Sequence, residues 1–370
     1  MLSFLYVIFI LSVIAQVVFF YIFSKFSFSK YQGSNVLQLK ISVVICARNE
    51  ADNIERNIEK VLTQRYRDFE VIVVNDASTD GTLAILKQYQ IRFKHLKIID
   101  IEASNNYTGN KKKAITEGVN ASKYDYILLT DADCEPASPY WMSEMASQFS
   151  IKKQIVLGYG AYKKIKGSFL NKLIRYETLL TAIQYFSYAK IGIPYMGVGR
   201  NLAYKKELFN KANGLENHAN IKSGDDDLFV NQVATKQNTT VCFTKDSFTL
   251  SEPKSTFKSW LNQKRRHITT AKHYKSIHKN LLGIYYLSQI SFWVLAIILL
   301  AFSLIGQMEI LNVIVLILMR LLTQFIVVGN AAKKLNEKDL ILWFPLLDIY
   351  LVFIQFGIFI ANLNRKPQAW

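Results

Sequence analysis

Long unbroken apolar runs bracket a middle in which short apolar runs alternate with amphipathic stretches. Residues 2–23 form the first long run, and residues 281–305, 310–329 and 340–361 form three more. A helix of about 20 apolar residues crosses a hydrocarbon core of about 30 Å, so each run predicts a span. Between them, residues 41–46, 69–74, 96–101 and 126–130 are short and rich in Val, Ile and Leu, and helical patterns over 51–62, 82–89 and 111–119 separate them. Strand and helix in alternation predict an α/β domain with a parallel sheet covered on both faces. Ligands of such sheets bind beyond the carboxyl ends of the strands.

Charge sharpens the division. The chain is 51% hydrophobic yet carries a net charge of +17, and residues 1–24 and 281–308 contain no Asp, Glu, Lys or Arg. Disorder and a fully soluble protein are both excluded. Lys25 and Lys30 follow the first run, and positive charge stays on the inner side. The expectation is a multi-pass protein of the plasma membrane with its large domain in the cytoplasm. The link 306–309 lacks Lys and Arg and suits the outer face, whereas 330–339 contains Lys333, Lys334 and Lys338 and suits the inner face. The last run has two readings. A full crossing puts Arg365 and Lys366 outside; a re-entrant or interfacial helix bent at Pro345 does not. The expected parts are a transmembrane helix at 1–24, a domain at 25–253, a basic amphipathic segment at 254–280, and a membrane region at 281–370 with two to three transmembrane helices.

Two charges inside these runs call for partners. Arg320 and Asp348 each lie about nine residues from the shared loop, a depth of roughly 13 Å at 1.5 Å per residue. They are expected to pair, the alternatives being separate snorkelling or Arg320 on the phosphate of a lipid acceptor. In the 254–280 segment Lys264, Arg265, Arg266, Lys272 and Lys275 interleave with Trp260, Ile268 and Tyr274, which suits an anionic lipid surface. Membrane lipids are therefore expected partners, and nucleic acid is set aside because the segment adjoins a span. A helical pattern over 159–195 reads as core packing or as an interfacial helix bordering a lipid acceptor. Cys46, Cys134 and Cys242 are too few and too scattered for a disulfide framework or a zinc site.

The strand ends are where the sequence turns polar: Ala47-Arg48-Asn49-Glu50, Asn75 to Gly81, and Asp131-Ala132-Asp133. No G-x-x-x-x-G-K and no G-x-G-x-x-G follows a strand, which argues against kinase-like and dinucleotide-binding functions. Asp131 and Asp133 can divide a sugar hydroxyl and a hard cation between them, or can merely cap a helix near Ser138.

In order and spacing, Val43-Val44-Ile45-Cys46-Ala47-Arg48-Asn49-Glu50, Val73-Val74-Asn75-Asp76-Ala77-Ser78-Thr79-Asp80-Gly81-Thr82 and Leu128-Leu129-Thr130-Asp131-Ala132-Asp133 resemble the family-2 glycosyltransferases. Gly197-Val198-Gly199-Arg200-Asn201, Gly224-Asp225-Asp226-Asp227 and Gln263-Lys264-Arg265-Arg266-His267 extend the likeness over about residues 40–270. It implies the GT-A nucleotide-sugar fold, with Arg48, Glu50, Asp76, Lys111, Asp131, Gln263 and Arg266 on the nucleotide-sugar side. Asp76 would bind the base, Lys111 would line its pocket, Asp131 would contact ribose and Arg266 would clamp the diphosphate. A strand-end carboxylate can accept the imide N–H of uracil, which agrees. Lys112 and Lys113 read as a solvated face, and Asp80 as an N-cap or a ligand contact.

Asp133 would hold Mg²⁺ or Mn²⁺. Asp226 would be the catalytic base, with Asp225 and His267 on the acceptor side. Adjacent carboxylates repel and raise an apparent pKa, which suits a base near neutral pH. Asp227 is the competing base; otherwise Asp225 and Asp227 read as helix-start residues. His267 stands where the family has tryptophan, removing a surface on which a sugar would stack. The resemblance thus implies an inverting, metal-dependent transferase acting once per acceptor, with a nucleotide-sugar donor, expected to be uridine-linked, and a lipid-linked or glycan acceptor. Processive polysaccharide synthesis, sugar nucleotidyl transfer and a silent membrane scaffold are the rival readings.

Overall fold

Ile41–Ala47, Phe69–Asp76, Leu96–Ile101 and Tyr126–Asp131 form parallel strands β1 to β4. β1 lies between β2 and β4, with Ile41 opposite both Phe69 and Tyr126. Val43, Ile45, Val71, Val73 and Leu128 are buried there. Burial on both faces is why these strands read as continuous apolar runs. The helices Ala51–Leu62, Thr82–Arg92 and Lys111–Asn120 make the crossovers. Gly118 lets the last of them approach the sheet closely, because a Cβ there would fall 2.5 Å from Val44 Cγ1.

Past residue 131 the simple alternation ends. Cys134–Pro136 (β5), Ile155–Leu157 (β6), Gly160–Tyr162 (β7), Leu202–Lys205 (β8), Thr239–Val241 (β9) and Thr249–Ser251 (β10) are all short. The main sheet has seven strands in the order β3-β2-β1-β4-β8-β6-β9, and β5-β10-β7 form a second sheet. β8 is antiparallel to both β4 and β6, so the fold is mixed α/β and not parallel throughout. Running against β4, β8 brings the residues before it to the carboxyl end of β4. Thr130 Oγ1 there donates to the Arg200 carbonyl at 3.0 Å.

The computed structural model describes residues 1–31, 33, 38–104, 107, 109–221 and 223–364, which divide into two units. Tyr31–Lys164 and Gly192–Pro253 make the sheet unit; Met1–Lys30, Ile165–Ile191 and Lys254–Trp370 make the helical unit. Sequence pattern predicts a domain running unbroken over 25–253, whereas here Ile165–Ile191 divides it. That segment holds the helix Phe169–Lys190, capped by Ser168, whose hydroxyl accepts from the Asn171 N–H. Phe186 packs on Phe26, and Ser187 Oγ donates to the Phe23 carbonyl at 3.2 Å, so its apolar stripe is core, but core of the helical unit.

In that unit four stretches, Leu2–Ser27, Ser276–Leu304, Ile310–Lys334 and Lys338–Asn362, are long and apolar enough to cross a membrane. Pro345 falls in the first turn of the helix Phe344–Asn364, where its missing N–H costs no helical hydrogen bond. The last run is a 3-10 stretch, Lys338–Trp343, followed by that helix, so Pro345 stands at their junction. Arg365 and Lys366 lie outside the described residues.

Arg320 and Asp348 do pair, at 2.7 Å and shut away from solvent. Asp348 also accepts from Tyr176 Oη (2.9 Å), Gln289 Nε2 (2.8 Å) and Trp293 Nε1 (2.8 Å). Arg320 donates to Gln324 Oε1 (2.6 Å) and Gln16 Oε1 (3.3 Å) and lies over the Phe292 ring. Each long helix of the unit thus gives a side chain to one polar knot. Removing one partner leaves a buried charge without its counter-charge, at about 3–5 kcal/mol. Arg320→Leu and Asp348→Leu should each lower the melting temperature in detergent by more than the double variant does; strictly additive losses would count against the pair.

Candidate active site

The ends of β1 and β2 are stitched together before any ligand is considered. Asn49 has φ of 54°, the left-handed region that Asn tolerates best after Gly, and its Oδ1 accepts from the Thr79 N–H at 2.8 Å. Asp80 accepts from the N–H groups of Ala51 (3.1 Å) and Thr82 (3.0 Å), so its carboxylate serves the two helix starts. Arg48 crosses to the next loop, where a Cβ on Gly109 would fall 2.8 Å from its Nε; Gly109 also has φ of +112°. Glu50 joins the helix start by donating its N–H to Thr82 Oγ1 at 2.9 Å.

Asp76, at the end of β2, is buried, and both its oxygens meet protein donors. Tyr107 Oη donates to Oδ1 at 2.5 Å, and the Asn110 N–H to Oδ2 at 2.8 Å. Burial, reinforced by Asp76, pushes the Tyr107 phenol up. Asn110 in turn caps Lys111–Asn120, its Oδ1 accepting from the Lys112 N–H. Lys112 is not a solvated residue as its sequence context predicts: it is buried, donating to the carbonyls of His218 (2.5 Å) and Ile221 (2.6 Å). Lys113 sits over the Tyr107 ring at 4.3 Å.

Lys111 joins two acidic groups far apart in sequence, reaching Asp131 Oδ1 at 2.8 Å and Asp225 Oδ2 at 3.2 Å. Burial opposes its charge, but Asp131, Asp225 and Asp226 outweigh that and hold the ammonium well above its ordinary pKa. Beside it, Asp131, Asp133 and Cys134 each offer one ligand atom, all within 4.8 Å of one another. Burial, and then Asp131, raises the Asp133 carboxyl. Burial raises the Cys134 thiol well above its usual range. The two carboxylates suit a hard divalent cation.

Asp226 caps the helix Asp227–Val233. Its Oδ2 accepts from the Gly199 N–H at 2.6 Å and its Oδ1 from the Asp227 N–H at 2.7 Å. Burial, then repulsion from Asp225 and Asp227, pushes its carboxyl up to about 7, against the pull of Lys111 and the Gly199 N–H. Asp227 is itself buried and accepts from the Leu228 N–H at 2.7 Å. Asp225 is turned to Lys111 and does not serve the helix start. Gln263, Arg266 and His267 share the helix Phe257–Ile268 in the helical unit. On that helix Lys264 pairs with Glu177 at 2.5 Å and Arg265 donates to Asn362 Oδ1 at 2.9 Å, so part of the basic stripe meets protein.

Residues 42–211 match the family described as Glycosyl transferase family 2. The chain carries a family 2 glycosyltransferase domain. Over 125 residues it is 31% identical to an uncharacterized glycosyltransferase of Haemophilus influenzae, covering 34% of this chain and 37% of that one. Over 123 residues it is 31% identical to a poly-β-1,6-N-acetyl-D-glucosamine synthase of Staphylococcus aureus, covering 32% of this chain and 29% of that one. The matched stretch thus spans about a third of either relative's length. Among solved structures, the mannosyltransferase PcManGT of Pyrobaculum calidifontis, in complex with GDP-Man and Mn²⁺, aligns with a TM-score of 0.60. That alignment covers 90% of this chain and 99% of that one at 18% identity, a likeness of GT-A fold.

Within this glycosyltransferase domain several residues around the strand ends carry no local sequence signal. Tyr107 and Ser251 belong to no motif, and Arg200 stands out only as a member of Gly197 to Asn201. Tyr107→Phe deletes one hydroxyl and leaves Asp76 Oδ1 short of a donor, which should cost about 1–3 kcal/mol. Asn110→Ala loses the helix cap but keeps the backbone N–H on Asp76, at about 1 kcal/mol. Thermal melting of the two variants should rank them in that order.

Proposed function

We propose that the chain is an inverting glycosyltransferase, anchored in the plasma membrane with its sheet unit in the cytoplasm. It moves a sugar from a nucleotide sugar, taken to be uridine-linked, to a hydroxyl of a lipid-linked or glycan acceptor. The observation that carries this reading is the separation of tasks at one sheet end. Asp131 and Asp133 form a pair suited to a cation, while Asp226 stands on a different element with a carboxyl pushed up to about 7.

Asp226 accepts the proton of the acceptor hydroxyl as that oxygen bonds to the anomeric carbon. The bond from that carbon to the donor phosphate breaks on the opposite face, which inverts the centre and releases a nucleoside diphosphate. The Gly199 N–H fixes the carboxylate so that one oxygen keeps a set direction. Asp133, with Asp131, would hold Mg²⁺ or Mn²⁺, which would supply positive charge against the negative charge growing on the leaving diphosphate. The family resemblance would put Arg266 on the diphosphate as well, and its planar fork suits phosphate oxygens. Lys111 keeps Asp131 and Asp225 from repelling each other across the site. One relative is named as a polymer synthase, but His267 gives no indole for a growing chain to stack on, and one sugar per acceptor is the expected product.

Asp226→Asn should keep donor binding and lower kcat by about 10²–10⁴-fold, while Asp133→Ala should lose Mn²⁺-dependent donor binding. Released nucleoside diphosphate, not pyrophosphate, measured across a panel of nucleotide sugars, reads transfer. Equal loss of donor affinity in both variants would sink the division of roles. Because the base must be ionised, kcat/KM should fall about tenfold per pH unit below the Asp226 pKa and level off above it. With that pKa at about 7, the limb lies near neutrality. Asp225→Asn removes a repelling charge and should move the limb to lower pH; an unmoved limb would assign it to another group.

A further inference from the structure

Beneath the Asp131–Asp133 pair lies a chain of side chains that no motif announces. Ser251, on the middle strand of the small sheet, is opposite Cys134 on one side and Tyr162 on the other. Its Oγ lies 3.0 Å from Cys134 Sγ and 3.1 Å from Arg200 Nη1. Cys134 Sγ is in turn 3.3 Å from Asp133 Oδ1. Arg200 also donates to the carbonyls of Gly160 (2.7 Å) and Ala161 (3.2 Å) and lies over the Tyr162 ring at 4.3 Å. No carboxylate lies within ion-pair distance of it among the described residues, so its close partners are dipoles and a ring, with Asp131 and Asp133 acting on it from farther off.

The hydrogens in this chain can be placed by counting. A guanidinium only donates, so the Ser251 oxygen accepts from Arg200. The Asp133 carboxylate only accepts when ionised, so the single thiol hydrogen of Cys134 goes to it. The contact between Ser251 and Cys134 must then use the serine hydrogen, with sulfur accepting. Every link points the same way, from the cation to the carboxylate, and such aligned chains polarise one another. At its end Asp133 Oδ1 is held by the thiol, while Oδ2 has no hydrogen-bond partner among the described residues.

We infer that Arg200, Ser251 and Cys134 form a positioning relay that orients Asp133 for a divalent cation by fixing which of its oxygens is free to bind. The relay deepens the proposed metal-dependent transfer and rests on that reading. None of the three touches substrate in this role; each acts through Asp133.

The test is binding of Mn²⁺ alone to the full chain in detergent, read by the electron paramagnetic resonance of free Mn²⁺, with thermal melting alongside. Cys134→Ala and Ser251→Ala should each weaken Mn²⁺ binding by about 10-fold, as loss of an outer-shell partner does elsewhere. Cys134→Ser keeps a donor and should stay within about threefold of wild type. The double variant Cys134→Ala with Ser251→Ala should bind no more weakly than Cys134→Ala, because Ser251 acts through the thiol. Wild-type affinity in Cys134→Ala, losses that multiply in the double variant, or a Cys134→Ser as weak as Cys134→Ala would overturn the relay and leave the ion on Asp131 and Asp133. Were Cys134→Ala not to fold, Ser251→Ala against Cys134→Ser decides by the same two magnitudes. A wild-type chain that binds no Mn²⁺ overturns both the relay and the metal reading.

Discussion

Negative charge crowded at the end of a buried sheet is the constraint around which the sheet unit is arranged. Asp76, Asp131, Asp133, Asp225, Asp226 and Asp227 converge there, and the overall excess of Lys and Arg does little to relieve them, because distant charges are screened. Relief is local. Asp76 has a phenol and a backbone N–H, Asp226 has two backbone N–H groups, and Asp131 and Asp225 share one ammonium. Because the means of relief differ, chemically identical side chains end with different proton affinities, and a division of labour becomes available.

Part of this was readable in the chain itself. β1 to β4 are buried on both faces and leave long β-branched runs, so their order and spacing survive in the sequence. β5 to β10 are mostly three residues long, too short for any pattern to develop, and their pairings, some parallel and some antiparallel, are encoded by no local signal. The same holds at the site. Asp131 and Asp133 stand one residue apart and can be found by eye. Cys134 and Ser251 are brought together by register across 117 positions, and Tyr107 meets Asp76 only through a loop. Lys112 reads as solvated because it follows another lysine, yet the carbonyls that bury it come from residues 218 and 221.

The helical unit answers a similar problem in a drier setting. Arg320 and Asp348 were legible as charges out of place, and their pairing follows from equal depth on neighbouring helices. What the spacing does not convey is the ring of Gln16, Tyr176, Gln289, Trp293 and Gln324 that fills almost every remaining hydrogen-bonding position. A bare ion pair in such a place need not stabilise anything, since desolvation can cancel attraction. The ring changes its meaning, because only one rotation of each helix satisfies all of these groups together.

The split of the sheet unit by Ile165–Ile191 bears on how the protein is made. β8 fills the place between β4 and β6, yet it is synthesised only after the helix Phe169–Lys190. At that moment Leu2–Ser27, on which Phe186 packs, is already made, but Gln324 and Asp348, the partners of Tyr176, do not yet exist. The nascent chain therefore passes through an interval in which the sheet has an open edge and the helix Phe169–Lys190 is only partly covered, the kind of species that aggregates. Leu2–Ser27 thereby has a second use, as early cover for a half-made fold.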